Sequence, residues 1–305
     1  MAFCEVNPEL RKKIAAEYCI ERSYADLHDA MADDWDAAVI AVPAHLHVPM
    51  ALQLAEAGVS FLMEKPVSVG MQDVLKLQGL VQSRRLTVAV GYDLRTHPSL
   101  QAMREAIRSG RFGRPLEAVA VSGHHFPTAR PAYREIYYNN RATGGGAVQD
   151  ALTHNMNAVE WLVGPIDALV ADITHQSLDG VDVEDTAHVL ARHGNVLSSC
   201  SLNQYQTPSE FTITVVCERG TARFEPHRNR WRWMSEPDGG WHDEPCPRLD
   251  RDAGYVAEAN AFLDALNGRG VVLCSLDEGV QTLRANLAVL ASAERKAWQT
   301  TQSIG

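Results

Sequence analysis

Val59-Ser60-Phe61-Leu62-Met63-Glu64-Lys65-Pro66 reads as a short buried strand that stops at a charged pair and a proline. A near-continuous apolar run of this length, preceded by Gly58, is the pattern of a parallel strand covered on both faces. Open α/β sheets hold ligands at the carboxyl ends of their strands, so Lys65 stands where a ligand is expected. A second group lies in Gly144-Gly145-Gly146-Ala147-Val148-Gln149-Asp150-Ala151-Leu152-Thr153-His154. There an aspartate and a histidine four positions apart share one face of any helix that carries them. Lysine, aspartate and histidine together can move a proton to or from an alcohol.

Strand and helix patterns alternate around this stretch. Ala2 to Cys4 is a strand, Glu9 to Tyr18 a helix opened by Asn7-Pro8, and a short helix starts at Asp26-Leu27. Asp36 to Val42 is a second buried strand, Leu46 to Ala57 a helix, and Thr87 to Val90 a further strand. Ser68 is read as the N-cap of a helix running through Arg85. The alternation predicts a doubly wound parallel sheet over residues 1–97. Beyond Pro98 the pattern changes to strands with turn residues between them, at 116–122, 168–173, 186–192, 196–205, 211–217 and 221–224. These predict an open, mainly antiparallel sheet with the helix 150–162 on one face, in a second domain over 98–305. Two closing helices, 255–266 and 276–298, are expected to pack back on the first domain. The fold class is therefore α/β.

Composition narrows the function. The net charge of −10 gives no basic face for nucleic acid. The cysteines, Cys4, Cys19, Cys200, Cys217, Cys246 and Cys274, are scattered without a Cys-x-x-Cys pair, which points to free thiols and a cytoplasmic protein. No stretch approaches the length of a membrane span, and no secretory leader pattern opens the chain. His124-His125, His45-x-His47 and His97 match no zinc spacing, so no metal is expected. Trp231, Trp233 and Trp241, flanking Pro237-Asp238-Gly239-Gly240, read as a hairpin with aromatic cross-strand partners.

Phe61-Leu62-Met63-Glu64-Lys65-Pro66, Gly91-Tyr92-Asp93-Leu94-Arg95, the triple glycine with Asp150-x-x-x-His154, and Val183-Glu184-Asp185-Thr186-Ala187 together resemble the Gfo/Idh/MocA family. The resemblance runs from about residue 2 to the end. It implies a nicotinamide-dependent oxidoreductase of a sugar, inositol or related polyol, with a Rossmann domain and a C-terminal domain whose open sheet forms a homo-oligomer. It implies Lys65, Asp150 and His154 as catalytic residues. Pro43 and His47 resemble the family's loop beside the cofactor, with Val42 where a threonine is usual, and Glu64 and Lys65 adjoin it.

The chain departs from that family at its start. No Gly-x-Gly-x-x-Gly turn is present, and the sequence opens where strand two is expected, so the Rossmann sheet is expected to be incomplete. Glu5 then occupies the place of the acidic residue that binds ribose hydroxyls, which favours NAD while leaving NADP open. Two readings of the start compete: an upstream coding segment, or a real truncation with no cofactor bound. Weak or absent dinucleotide binding by the 305 residues is the expectation, because pyrophosphate needs the glycine turn and helix N-terminus. The alternative function is a catalytically inactive, cofactor-free relative that binds a sugar or partner subunit through the C-terminal domain. The loop His124 to Asn140 is the expected substrate loop, with Arg130, Tyr133, Arg134 and Tyr137 as contacts alongside Arg95 and Asp150, since guanidinium suits anionic or polyhydroxylated ligands.

Overall fold

In the computed structural model, which describes residues 1–304, the run around Phe61 is the middle strand of a three-stranded parallel sheet. The chain up to it alternates β1 (Ala2–Cys4), α1 (Pro8–Glu17), β2 (Arg22–Tyr24), α2 (Leu27–Ala30), β3 (Ala37–Ile40), α3 (His47–Glu56), β4 (Ser60–Glu64), α4 (Val74–Arg84) and β5 (Val88–Gly91). β1 pairs in parallel with β2, β3 with β4, and β4 with β5. Among the described residues no hydrogen-bonded strand joins β1 to β3, so the Rossmann-like sheet is in two pieces. The gap shows in burial: Val39 on β3 is 64% exposed, whereas Phe61 and Met63 on the next strand are fully buried. Those two pack with Val48, Leu54 and Leu77 of α3 and α4.

The second half builds a nine-stranded sheet. Its elements are α5 (Pro98–Arg108), β6 (Pro115–His125), α6 (Phe126–Ala129), α7 (Thr153–Val163), β7 (Ala168–Thr174), β8 (Thr186–His193), β9 (Val196–Asn203), β10 (Tyr205–Cys217), β11 (Gly220–Glu225), β12 (Arg230–Met234), β13 (His242–Pro245), α8 (Ala253–Leu266), α9 (Leu276–Arg295) and β14 (Gln299–Thr300). The strand order is β13-β12-β11-β10-β6-β9-β8-β7-β14, antiparallel except where β6 meets β9. Strict alternation in β8 turns Ala187, Val189 and Ala191 inward and His188, Leu190 and Arg192 outward. The inward face packs on α5, α7 and α9. The tryptophan hairpin forms as read: β12 pairs β13, and Trp233 stacks on His242 with ring centroids 4.1 Å apart.

α9 belongs to both cores. Leu276, Val280 and Leu283 pack against the β4–β5 core, while Ala285, Ala288 and Val289 join the core under the large sheet. Its first turn is fixed by a reciprocal cap between Ser275 and Glu278. α8 returns to the first domain as well, where Phe262 packs on Leu62 and Ala89.

Three boundaries differ from the sequence reading. The helix assigned to Ser68 begins at Val74, because Val67 and Ser68 are buried in the turn that leaves β4. The helix assigned to Asp150 opens with a π-helical turn, Val148–Leu152, before α7. The last helix stops at Arg295, where Lys296 takes a left-handed conformation.

Arg95, read as a substrate contact, is instead an interior strut. It is 2% exposed and donates to Asn157 Oδ1 (2.8 Å), the Leu273 carbonyl (2.8 Å) and Glu278 Oε1 (2.6 Å). A guanidinium can bridge three elements at once, which is what joins α7, the approach to α9 and α9 itself here. Replacing it by methionine leaves the buried Asn157 Oδ1 without its donor, while the half-exposed Glu278 keeps water and Ser275. Arg95→Met is therefore expected to lose about 1–3 kcal/mol of stability in denaturant unfolding; a loss within about 0.5 kcal/mol of zero would contradict the strut.

Candidate active site

Lys65 leaves the carboxyl end of β4 through a cis Lys65–Pro66 peptide and crosses to the second domain. Its Nζ donates to the Asp150 carbonyl at 2.7 Å and to Asp150 Oδ1 at 3.3 Å. Both side chains are largely buried, 13% and 6% exposed. The Tyr137 hydroxyl donates to the same Oδ1 at 2.7 Å. Burial pushes the Asp150 carboxyl up, but Lys65, the tyrosine hydroxyl and Arg130 more than offset it and hold it below the usual range. Asp150 therefore stays ionised beside the lysine.

His154 lies one turn further on. Its Nδ1 is 3.1 Å from Asp93 Oδ1, an ion-pair distance whose angle falls short of an aligned hydrogen bond. Asp93 opens the short 3-10 turn that follows β5. Burial raises its carboxyl, and the facing imidazole outweighs that and draws it below the ordinary value. Tyr92 packs edge-on against the imidazole at 5.9 Å, and its hydroxyl meets Thr153 Oγ1 at 2.9 Å. His154 thus has one nitrogen held toward a carboxylate and the other left for a ligand. The two pairs, Lys65–Asp150 and Asp93–His154, stand together at the ends of β4 and β5.

The turn ahead of Asp150 is clamped by the Val183–Ala187 segment. Glu184 accepts the Val148 N–H at 3.1 Å and pairs with Arg141, while its carbonyl accepts the Ala147 N–H at 2.8 Å. Gly146, at φ +90°, presses on that carboxylate so closely that a Cβ would lie 2.5 Å from Oε1. A Cβ on Gly145 would lie 2.2 Å from the Tyr138 carbonyl. No side chain fits at either place, so the glycines belong to this clamp. Asp185 accepts the N–H groups of Gln176, Ser177 and Leu178 at 2.7–2.9 Å. Leu178 in turn packs with Phe126, Tyr133 and Tyr138, the aromatic floor of the loop.

The sequence candidates separate accordingly. Lys65, Asp150, His154, Tyr137 and Arg130 come together, with Arg130 Nη1 3.5 Å from the Tyr137 hydroxyl. Tyr133 does not face them: it is 1% exposed and donates to the Asp179 carbonyl at 2.7 Å. Arg134 is held by the same carbonyl (2.8 Å) and the Asp179 carboxylate (3.3 Å). His47, read as a cofactor contact, is buried, with Nδ1 2.7 Å from the Pro66 carbonyl and Nε2 2.7 Å from the Val42 carbonyl. It ties the end of β3 to the turn after Lys65, and burial lowers its pKa against the pull of those carbonyls. Pro43 sits exposed at the end of β3, and Glu5 follows β1, its Oε1 accepting the Asn7 N–H at 2.7 Å. Glu64 is raised by burial, over the opposing charges of Lys65 and His154. Among the described residues no group of three or more candidate ligands is placed to hold a metal ion, and no helix is long and apolar enough to cross a membrane.

Sequence reasoning assigned no role to Asp93, Glu184, Tyr255 or Glu258. Asp93 carried one signal, its place just after a parallel strand. Tyr255 and Glu258 lie on α8, which packs on β4, β5 and the turn of Asp93 and brings both within electrostatic reach of Glu64 and Asp93. Nothing in their local sequence places them there.

Parallel strands with a lysine at one carboxyl end, facing an aspartate and a histidine from a helix packed on a separate, mainly antiparallel sheet, are an arrangement that suits an oxidoreductase of the NAD-binding Rossmann type. Comparison with known proteins agrees. The model of the oxidoreductase family with an NAD-binding Rossmann fold matches residues 1–92, and that of the GFO/IDH/MocA C-terminal domain matches residues 100–223. The chain belongs to the Gfo/Idh/MocA family. It is 25% identical over 350 aligned positions to levoglucosan dehydrogenase of Pseudarthrobacter phenanthrenivorans, covering 98% of this chain and 89% of that one. It is 24% identical to inositol 2-dehydrogenase of Rhizobium meliloti, covering 97% and 90%. A match to an uncharacterised oxidoreductase of Synechocystis, 28% identical, covers 68% of this chain and 57% of that protein. Levoglucosan dehydrogenase in complex with NADH superposes with a TM-score of 0.90 at 22% identity, covering 98% and 89%. The cofactor-free alternative gains no support from these relatives.

Glu258 gives this site a measurable pH signature. Burial, and then the charges of Glu64 and Asp93, push its carboxyl up to about 8. A carboxyl raised on folding stabilises fully below its ordinary value of 4.5 and loses that contribution as pH rises through about 8. Glu258→Gln is expected to flatten the fall in stability across this window and to gain on the order of 2 kcal/mol at alkaline pH. Parallel pH–stability curves for the variant and the parent protein would refute the assignment.

Proposed function

We propose that the chain oxidises a secondary alcohol of a sugar, inositol or related polyol, with NAD as the hydride acceptor. The observation that carries this reading is the meeting of Lys65–Asp150 with Asp93–His154 at the carboxyl ends of β4 and β5. The substrate carbinol would lie between the lysine ammonium and the free imidazole nitrogen. His154 takes the hydroxyl proton, with Asp93 facing its other nitrogen and favouring the imidazolium that results. Lys65 donates a hydrogen bond to the oxygen as negative charge develops, and Asp150 keeps that ammonium in place. The carbon–hydrogen bond breaks with its electron pair and the carbinol becomes a carbonyl. NAD, when bound, supplies the acceptor for that hydride.

The residues present fit part of the cofactor. Pro43, Glu64 and Lys65 line the strand ends where the nicotinamide would rest, and Glu5 stands at the end of β1 where a ribose diol would meet a carboxylate. No glycine-rich turn among the described residues meets the pyrophosphate. The carboxylate at Glu5 favours NAD over NADP, since it would repel a 2′-phosphate. The outward face of the large sheet, with Leu190 56% and Leu197 50% exposed beside Val119 and Val121, suits a homo-oligomer of this cytoplasmic protein.

Polyol-dependent NADH formation at millimolar NAD tests the reaction. Lys65→Met and His154→Asn are each expected to lower kcat/KM by about 10²–10⁴-fold. Asp93→Asn is expected to lower kcat by about 10-fold with KM nearly unchanged, because it touches the imidazole and not the substrate. Full activity in His154→Asn would remove it as the base.

A further inference from the structure

The loop between β6 and the triple glycine carries three arginines, and only two of them have a fixed carboxylate. Arg134 is paired with Asp179 and Arg141 with Glu184. Arg130 has no carboxylate within ion-pair distance among the described residues. Its nearest polar contact is the Tyr137 hydroxyl, 3.5 Å from Nη1, and that hydroxyl already donates to Asp150. Asp150 is itself matched by Lys65. With Lys65 reaching across to Asp150, this side of the cleft holds one cation more than it has carboxylates, and that cation is Arg130.

The opposite wall presents carboxyls. Glu64, Asp93 and Glu258 gather there from β4, the turn after β5 and α8, with His154 facing Asp93 and burial raising Glu64 and Glu258 above the ordinary range. Tyr255 of α8 is within electrostatic reach of Asp93, Glu64 and Arg130. A ligand in this cleft is oriented by that asymmetry: an anionic end is drawn to Arg130, while its carbinol rests at Lys65 and His154. Arg130 and Lys65 are linked through Tyr137 Oη and Asp150 Oδ1 by three successive contacts, which puts both cations at the same cleft.

We propose that Arg130 is a carboxylate anchor, and that the substrate is an acidic polyol, an aldonate or uronate, held by its carboxylate at Arg130 with a hydroxyl at Lys65 and His154. The proposal rests on the dehydrogenase reading for which carbon reacts, but not for which end is anchored. A planar guanidinium takes a carboxylate through two parallel hydrogen bonds, and the donors of Arg130 are not committed to another carboxylate as those of Arg134 and Arg141 are. Burial lowers the pKa of His124 against the pull of Asp150, with Arg130 adding a smaller push the same way, so charging it is disfavoured.

D-Gluconate and D-glucitol match carbon for carbon and differ at one end, carboxylate against hydroxymethyl. In calorimetric titrations of the 305-residue chain, gluconate is expected to bind at least about tenfold tighter than glucitol. Arg130→Gln should bring the two within about twofold, and Arg130→Lys should keep part of the preference. Arg134→Gln, whose guanidinium is bound to Asp179, should leave the preference intact. Equal affinity for the two ligands, a preference that survives Arg130→Gln, or no gluconate binding at millimolar concentration would each overturn the anchor. If the preference holds but neither compound is oxidised with NAD, the anchor stands and the dehydrogenase reading falls.

Discussion

Lys65 follows a strand of the parallel sheet and Asp150 lies on the helical segment under the large sheet, and their contact defines the candidate site. Two charges buried this deeply are held only if their geometry is fixed, since each loses most of its hydration. The rest of the fold can be read as the set of restraints that fixes it. On the lysine side, His47 joins the carbonyls of Val42 and Pro66 and so ties the ends of β3 and β4 together. On the aspartate side, Glu184 and the glycines before it set the start of the π-helical turn. Between the domains, Arg95, the Tyr92–Thr153 contact and α9 prevent relative movement.

The π-helical turn has a local consequence. One extra residue in the turn displaces the chain relative to a regular helix, and such turns recur where a helix carries function. Asp150 and His154 still emerge toward the cleft, yet they address different partners, Lys65 and Asp93. In the proposed reaction this would put the proton acceptor and the oxygen-stabilising cation at separate positions around one carbinol instead of competing for one carboxylate. Asp93 and Asp150 both lie below the ordinary carboxylate range while Glu64 and Glu258 lie above it. Carboxyls in one cleft are divided by whether their cations and hydrogen bonds outweigh the cost of burial: they do at Asp93 and Asp150 and do not at Glu64, although Lys65 and His154 face it.

The sequence made legible what depends on local pattern. The apolar run 59–63 announced β4, and the strand-ending lysine and the four-residue spacing of Asp150 and His154 marked the centre of the site. The interruption between β1 and β3 was legible too, from the glycine turn that is not there. Residue type alone misplaced Arg95, Tyr133, Arg134 and His47. Each is polar and lies in a suggestive segment, but its partners, Glu278, Asp179, and the carbonyls of Val42 and Pro66, are chosen by the packing of other elements. Asp93 was passed over because its significance depends on a histidine in the other domain. Glu258 and Tyr255 were out of reach because α8 approaches the cleft from the far end of the chain.

α9 makes a much later segment of the sequence a component of the core built on β4 and β5. Leu276, Val280 and Leu283 close one face of that sheet, and the Ala89–Ser275 bridge docks their approach to β5. Until those residues leave the ribosome, the sheet that holds Lys65 has an open apolar side. A domain contained in one stretch of chain can bury itself as soon as it is made; this one waits, exposed, for a segment that follows the whole of the large sheet. A stall between the two would leave the site's lysine made and its sheet uncovered.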